Sequence, residues 1–67
     1  MLFIDDIVKL AINAQAKLVI DCKRQMEYCI AQDDQRGANA YFMEYARQRA
    51  ILKEMTSFAT EEGIHIG

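Results

Sequence analysis

Two apolar stripes run along this chain, one on each side of a short polar cluster, and both advance in alternating steps of three and four residues. The stripes are Val8, Ile12, Gln15, Val19, Cys22, Met26 and Cys29, then Tyr41, Tyr45, Gln48, Leu52, Met55 and Ala59. This rhythm is typical of the seam between packed helices. Proline is absent and only three glycines occur, so little interrupts either helix. The pattern predicts an all-α antiparallel hairpin with helices over about 5–32 and 35–62.

The polar cluster at 33–37 marks the predicted chain reversal. Asp33 or Asp34 can cap the second helix, because a carboxylate accepts from the free N–H groups of a first helical turn. Gly37 offers an alternative: as a C′ glycine it would end the first helix later and shift the helix pairing by one turn. Either Asp5 or Asp6 is expected to begin the first helix, facing the positive end of its dipole.

The C-terminal end of the second helix is predicted at Gly63, a C′ glycine, with Ile64 supplying the apolar contact of a Schellman ending. Residues 63–67 then form a short tail that we expect a partner to order. No composition shift, linker or repeat divides the chain. We therefore treat residues 1–67 as a single helical-hairpin domain.

Glutamine interrupts each stripe once, at Gln15 and Gln48. With the reversal near Asp34, the two amides fall in neighbouring layers of the seam. A polar side chain in an apolar seam costs stability unless it finds partners, and it can set register and oligomeric state. On this reasoning, replacing either glutamine with Leu should raise thermal stability and loosen the choice of oligomer.

Apolar surface exceeds what one hairpin can cover. Hydrophobic residues make up 52% of 67 residues, and a domain of this size buries only about 60% of its unfolded surface. We expect a homodimer in which two hairpins form a four-helix bundle, with binding of a different protein as the alternative. The predicted partner-binding residues outside the seam are Leu10, Ile20, Tyr28, Phe42, Met43 and Ala46.

Candidate chemistry is sparse. Cys22, Cys29 and His65 are the only soft metal ligands, and their spacing matches no structural zinc pair. No Ser-His-Asp set, glycine-rich phosphate loop or paired-carboxylate motif is present. We predict no enzyme activity, metal, cofactor or small-molecule substrate. The two cysteines lie about 10 Å apart along one helix, too far for a disulfide, and reduced thiols favour a cytoplasmic setting.

The charge of the chain gives little indication of its partner. The net charge of −2 gives no general attraction to nucleic acid or to anionic lipid, and no apolar run suits a signal peptide or a membrane span. The function predicted is a non-catalytic protein–protein interaction module, acting as a regulator, inhibitor or chaperone-like subunit. The alternative is a dimeric nucleic-acid-binding hairpin that uses the outer-face basic residues Lys17, Arg24, Arg49 and Lys53.

Overall fold

The computed structural model describes residues 3–65 and consists of two long helices packed against each other in an antiparallel hairpin. Helix α1 spans Ile4–Ala31 and helix α2 spans Gln35–Glu61. The hairpin is 46 Å long and 21 by 16 Å across. The predicted all-helical hairpin is confirmed, with each helix end within one residue of its expected place. In residues 3–65, neither helix combines the length and hydropathy needed to cross a bilayer.

Helix α1 begins one residue earlier than the sequence suggested. Phe3 is its N-cap residue, and the backbone N–H of Phe3 donates to the Asp6 carboxylate at 3.3 Å. Asp5 and Asp6 both lie inside the first turn, so the prediction that one of them is the cap was wrong. Their charges still face the positive end of the helix dipole, which stabilises the start of α1.

The reversal between the helices is built on the two aspartates. Asp33 adopts a left-handed backbone with φ of 57°. Its N–H donates to the Ile30 carbonyl at 3.0 Å, and the Asp34 N–H donates to the Cys29 carbonyl at 2.8 Å. This pair of bonds is a Schellman motif with aspartate where glycine is usual. Asp34 then caps α2 by accepting from the Gly37 N–H at 3.0 Å, so the alternative in which Gly37 ends α1 is wrong.

Gly37 has a different role, in the first turn of α2. A Cβ at this position would collide with the Asp34 carboxylate and lie 3.0 Å from the Cys29 Sγ. The absence of a side chain therefore lets the start of α2 approach the end of α1 closely.

Neighbouring aspartates in this turn should respond to substitution with opposite signs. Asp33→Gly removes the Cβ, which is unfavourable in the left-handed backbone conformation of this residue. The substitution should therefore raise the free energy of unfolding by about 0.5–1 kcal/mol. Asp34→Ala removes the cap of α2 and should lower it by about 1 kcal/mol. Urea unfolding followed by circular dichroism at one fixed protein concentration measures both. A shift of the same sign in the two variants would contradict this description of the turn.

The seam predicted from the stripes is the buried interface of the hairpin. All members of the first stripe are buried or half-buried, and so are those of the second except Tyr41, which is 38% exposed. Toward the turn, Cys22 and Cys29 are buried. At the open end, where α1 begins and α2 finishes, Ile12 and Ala59 anchor an apolar cluster. The glutamines lie between these two regions.

Helix α2 ends as predicted. Gly63 has φ of 72°, its N–H donates to the Thr60 carbonyl at 3.1 Å, and the Ile64 N–H donates to the Ala59 carbonyl at 2.8 Å. Ile64 is 7% exposed and joins the cluster of Ile12 and Ala59. Ile64 is thus part of the hairpin core, and the expectation that the tail from residue 63 needs a partner for order is wrong for this residue. The tail's last two residues lie outside the described part.

Candidate interaction surfaces

A bridge of hydrogen bonds crosses the seam at the two glutamines. The Gln15 side-chain Nε2 donates to the Gln48 backbone carbonyl at 2.9 Å and to the Gln48 Oε1 at 2.8 Å. Gln48 Nε2 donates in turn to Glu44 Oε1 at 2.7 Å, and Arg47 Nη1 donates to Glu44 Oε2 at 3.1 Å. Within residues 3–65 no buried side-chain nitrogen or oxygen lacks a partner.

This bridge changes the interpretation of the interrupted stripes. The sequence set Gln15 and Gln48 in neighbouring layers, and their long side chains span that offset to meet each other. Burying an amide costs little stability when its hydrogen bonds are made. Removing one partner of such a bond leaves the other partner buried without a hydrogen bond, which is costly. The basis for expecting a single Leu substitution to stabilise the hairpin is therefore lost.

Single and double substitutions of the glutamines should be strongly non-additive. Gln15→Leu leaves Gln48 Oε1 without its donor, and Gln48→Leu leaves the Gln15 amide with the backbone carbonyl of residue 48 as its one remaining acceptor, so each should cost about 1 kcal/mol. The double Leu variant leaves neither group behind and should recover about 0.5–1.5 kcal/mol relative to additivity. Chemical unfolding of the four proteins completes the cycle. If each single variant melted above the wild type, the bridge would contribute nothing.

An apolar groove lies between the helices on one side of the seam, at the open end. It encloses about 280 Å³. Its lining residues are Val8, Ala11, Ile12, Ile51, Glu54, Met55 and Phe58. Glu54 is the only charged member of this set. The groove therefore shows which flank of α1 meets which flank of α2, since Ala11 shares it with Ile51 and Phe58.

The groove lies within a larger apolar surface. On α1, a second stripe runs one residue before the seam, again in steps of three and four. With the matching residues of α2, it defines what we call the groove face: Ile4, Ile7, Ala11, Ala14, Leu18, Ile51, Glu54 and Phe58. Its large apolar side chains are all exposed. From Ile4 to Leu18 the face is about 21 Å long.

The groove face ends about halfway along the hairpin. Nearer the turn, the same stripe continues through Asp21 and Gln25 on α1 and through Arg47 and Glu44 on α2. Arg47 and Glu44 form an exposed ion pair there. The side of the hairpin that carries the groove face is thus apolar near the open end and polar near the turn. Any apolar contact on this side is limited to the half near the open end.

The six predicted partner-binding residues are all exposed, but they do not form one surface. Leu10 and Tyr28 are separated by about 27 Å along α1 at the usual helical rise. Of the six, Phe42 and Ala46 line a second groove, of about 690 Å³, along α2. That Leu10, Ile20, Tyr28, Phe42, Met43 and Ala46 bind a partner stays a prediction.

The four basic residues of the alternative function divide between two sides of the hairpin. Arg49 and Lys53 line the second groove beside Phe42. Lys17 and Arg24 lie roughly 180° around α1 from the seam, at about 100° per residue. The structure therefore brings two of the four cations together with an aromatic side chain and leaves the other two on the outer side of α1.

Sequence reasoning missed the groove face as a surface. Ile7 and Ala14 were assigned to no site, and Ile51 and Phe58 were not among the predicted partner-binding residues. The signal was present in the sequence as the second stripe on α1, displaced by one residue from the first. Its meaning depends on which side of α2 adjoins it, and that follows from helix packing rather than from the period alone.

Comparisons with protein-family models, with curated proteins and with solved structures find no match to this chain. In the part of the chain from residue 3 to residue 65, no three His, Cys, Asp or Glu side chains are grouped so that they could hold a metal ion.

Proposed function

We propose that this protein is a small, non-catalytic interaction module that pairs with a second copy of itself in a four-helix bundle. The groove face is the observation that carries the proposal. Within residues 3–65, thirteen large hydrophobic side chains are exposed, whereas five residues are buried. A single helical hairpin has too thin a core for a stable domain, and association is a usual supplement in chains of this size.

The four-helix bundle follows from where the apolar residues lie. Packing two groove faces together covers Ile7, Leu18, Ile51 and Phe58 of each copy, at the shallow crossing angle usual for such bundles. The seam of each hairpin stays intact. Twofold homo-oligomers are the commonest assemblies of soluble proteins, which favours a second copy as the first occupant.

Docking to another protein is the activity we propose for the assembled bundle, as a regulator, inhibitor or chaperone-like subunit. The outer surface of α2 supports this role, because Phe42 and Met43 remain exposed there and lie away from the groove face. Aromatic and methionine side chains are enriched in protein interfaces. A cytoplasmic setting is part of the proposal, supported by the two free cysteines.

Affinity capture from the cells that encode the protein tests this docking role. Three baits are compared: the wild type, a Phe42→Ala/Met43→Ala variant, and an Arg36→Ala/Asn39→Ala control one turn earlier on α2. The proposal predicts one protein held by the wild type and the control and lost from the Phe42/Met43 variant. Equal retention by all three baits, or by none, would overturn the role of this surface.

Nucleic-acid binding is the second candidate, and the second groove favours it. Arg49 and Lys53 line this groove with Phe42, and neither cation forms an ion pair within residues 3–65. Cations that neutralise phosphates release counterions, so binding would weaken steeply with rising salt. Titration of labelled duplex RNA and DNA at several salt concentrations decides between the candidates. Salt-dependent binding that Arg49→Ala/Lys53→Ala abolishes would support this function, and its absence would reject it.

A further inference from the structure

Glu54 restricts what can cover the groove face. Glu54 is an exposed residue that lines a groove whose other lining residues are apolar, and it forms no ion pair within the described residues. No cation is within helical reach, because the residues three and four positions away are Ala50, Ile51, Ser57 and Phe58. Covering a carboxylate without a cation is strongly unfavourable. An occupant of the groove face that buries the Glu54 carboxylate must therefore bring a positive charge to it.

Arg47 can supply that charge from a second copy. It lies two helical turns before Glu54, so both residues lie on nearly the same side of α2. Its Nη1 donates to Glu44, and a guanidinium has further N–H groups to donate. The Arg47 side chain is 65% exposed. It is therefore accessible to a second carboxylate without giving up the first.

We propose that the two copies pair through antiparallel α2 helices, with the twofold axis between Ala50 and Ile51, so that Arg47 of each copy pairs with Glu54 of the other. This inference rests on the self-association proposed above and specifies its geometry. In a twofold contact, residues equally far from the axis on either side face each other. Arg47 and Glu54 satisfy that condition, and Ile51 then packs at the centre of the contact.

Three other registers of the antiparallel α2 pair bury like charges. An axis at Arg47 would oppose the two Arg47 side chains, and an axis at Glu54 would oppose the two carboxylates. An axis midway between Glu44 and Glu54 would set these two acidic residues against each other. Like charges in contact at an interface cost several kcal/mol. The charge pattern of α2 thus favours the axis beside Ile51 over these three.

A charge-reversal cycle tests the register. The dimer dissociation constants of the wild type, Arg47→Glu, Glu54→Arg and the double variant are measured by sedimentation velocity, with helicity checked by circular dichroism. Each single reversal should weaken the dimer at least about tenfold, and the double reversal should restore it to within about threefold. Glu27→Arg on α1, outside the groove face, is the matched control and should leave the constant unchanged.

Crosslinking tests the same register by a method that does not depend on charge. Ala50→Cys, beside the axis, should form a disulfide-linked dimer under mild oxidation, whereas Glu27→Cys on α1, outside the groove face, should not. A wild-type monomer would overturn the self-association itself. A wild-type dimer with neither charge rescue nor an Ala50→Cys crosslink would overturn this register while leaving the four-helix bundle in place. Rescue together with the crosslink is the expected result.

Discussion

Replacing Ile12 with Ala is expected to unfold most of the protein at 25 °C. Ile12 is 4% exposed and packs with Ala59 and Ile64 in the cluster at the open end. Truncating a buried isoleucine to Ala costs about 2–5 kcal/mol, because the site loses apolar contacts and retains a cavity. A core in a chain this short rarely supplies more than about 3–5 kcal/mol. The expected loss is therefore comparable to the whole stability of the hairpin.

Thermal unfolding followed by circular dichroism measures this effect. Leu10→Ala is the matched control, since Leu10 lies on the same helix, loses a side chain of similar size and is 58% exposed. It should change the free energy of unfolding by less than about 0.5 kcal/mol. Similar melting curves for the two variants would mean that the open-end cluster is not the main source of stability. All samples are compared at one concentration, because dimerisation itself shifts apparent stability.

Ile51→Glu should convert the dimer into a monomer. The substitution places a carboxylate from each copy at the centre of the groove-face contact, where the two face each other, and the cation in reach, Arg47, is already paired with Glu44. Burying such a charge is strongly unfavourable, and a loss of about 3 kcal/mol corresponds to roughly a hundredfold weaker dimer. Within the hairpin itself, Ile51 lies at the groove rim and is exposed. The helical content of the variant should therefore persist.

The control for this experiment is Ile20→Glu, the same chemical change at an exposed isoleucine of α1. Ile20 lies outside the groove face, so its variant should keep the mass of the wild type. Light scattering over a range of concentrations distinguishes the two. An Ile51→Glu protein that remained dimeric would show that the groove face is not the contact between copies.

The architecture could be predicted because it depends on local periodicity. The two apolar stripes, which advance in steps of three and four residues, determine which side of each helix is buried. The polar cluster at 33–37 is the only break between the stripes. Gly63 could be assigned to the end of α2 because a left-handed residue at C′ favours glycine. The turn was harder to predict for the same reason, because glycine is the usual C′ residue and Gly37 was therefore a better candidate than Asp33. Aspartate tolerates the left-handed region, and the crowding around Gly37 is apparent only in three dimensions.

The candidate surfaces were less predictable because they depend on tertiary packing. The period of α1 shows that Ala11 lies beside the seam, but not that it meets Ile51 and Phe58 across a groove. Similarly, the stripes locate Gln15 and Gln48 close together, whereas the direction of each hydrogen bond depends on side-chain geometry. Sequence reasoning therefore gave the excess of apolar surface correctly and left its distribution open.

Sedimentation equilibrium of the wild-type protein at micromolar concentration tests the central claim most directly. That claim is that one hairpin leaves its groove face uncovered and pairs with a second copy through it. The chain mass is 7.7 kDa, and the account predicts a species of twice that mass with little binding of a hydrophobic dye. A stable species of the chain mass that also fails to bind the dye would contradict it.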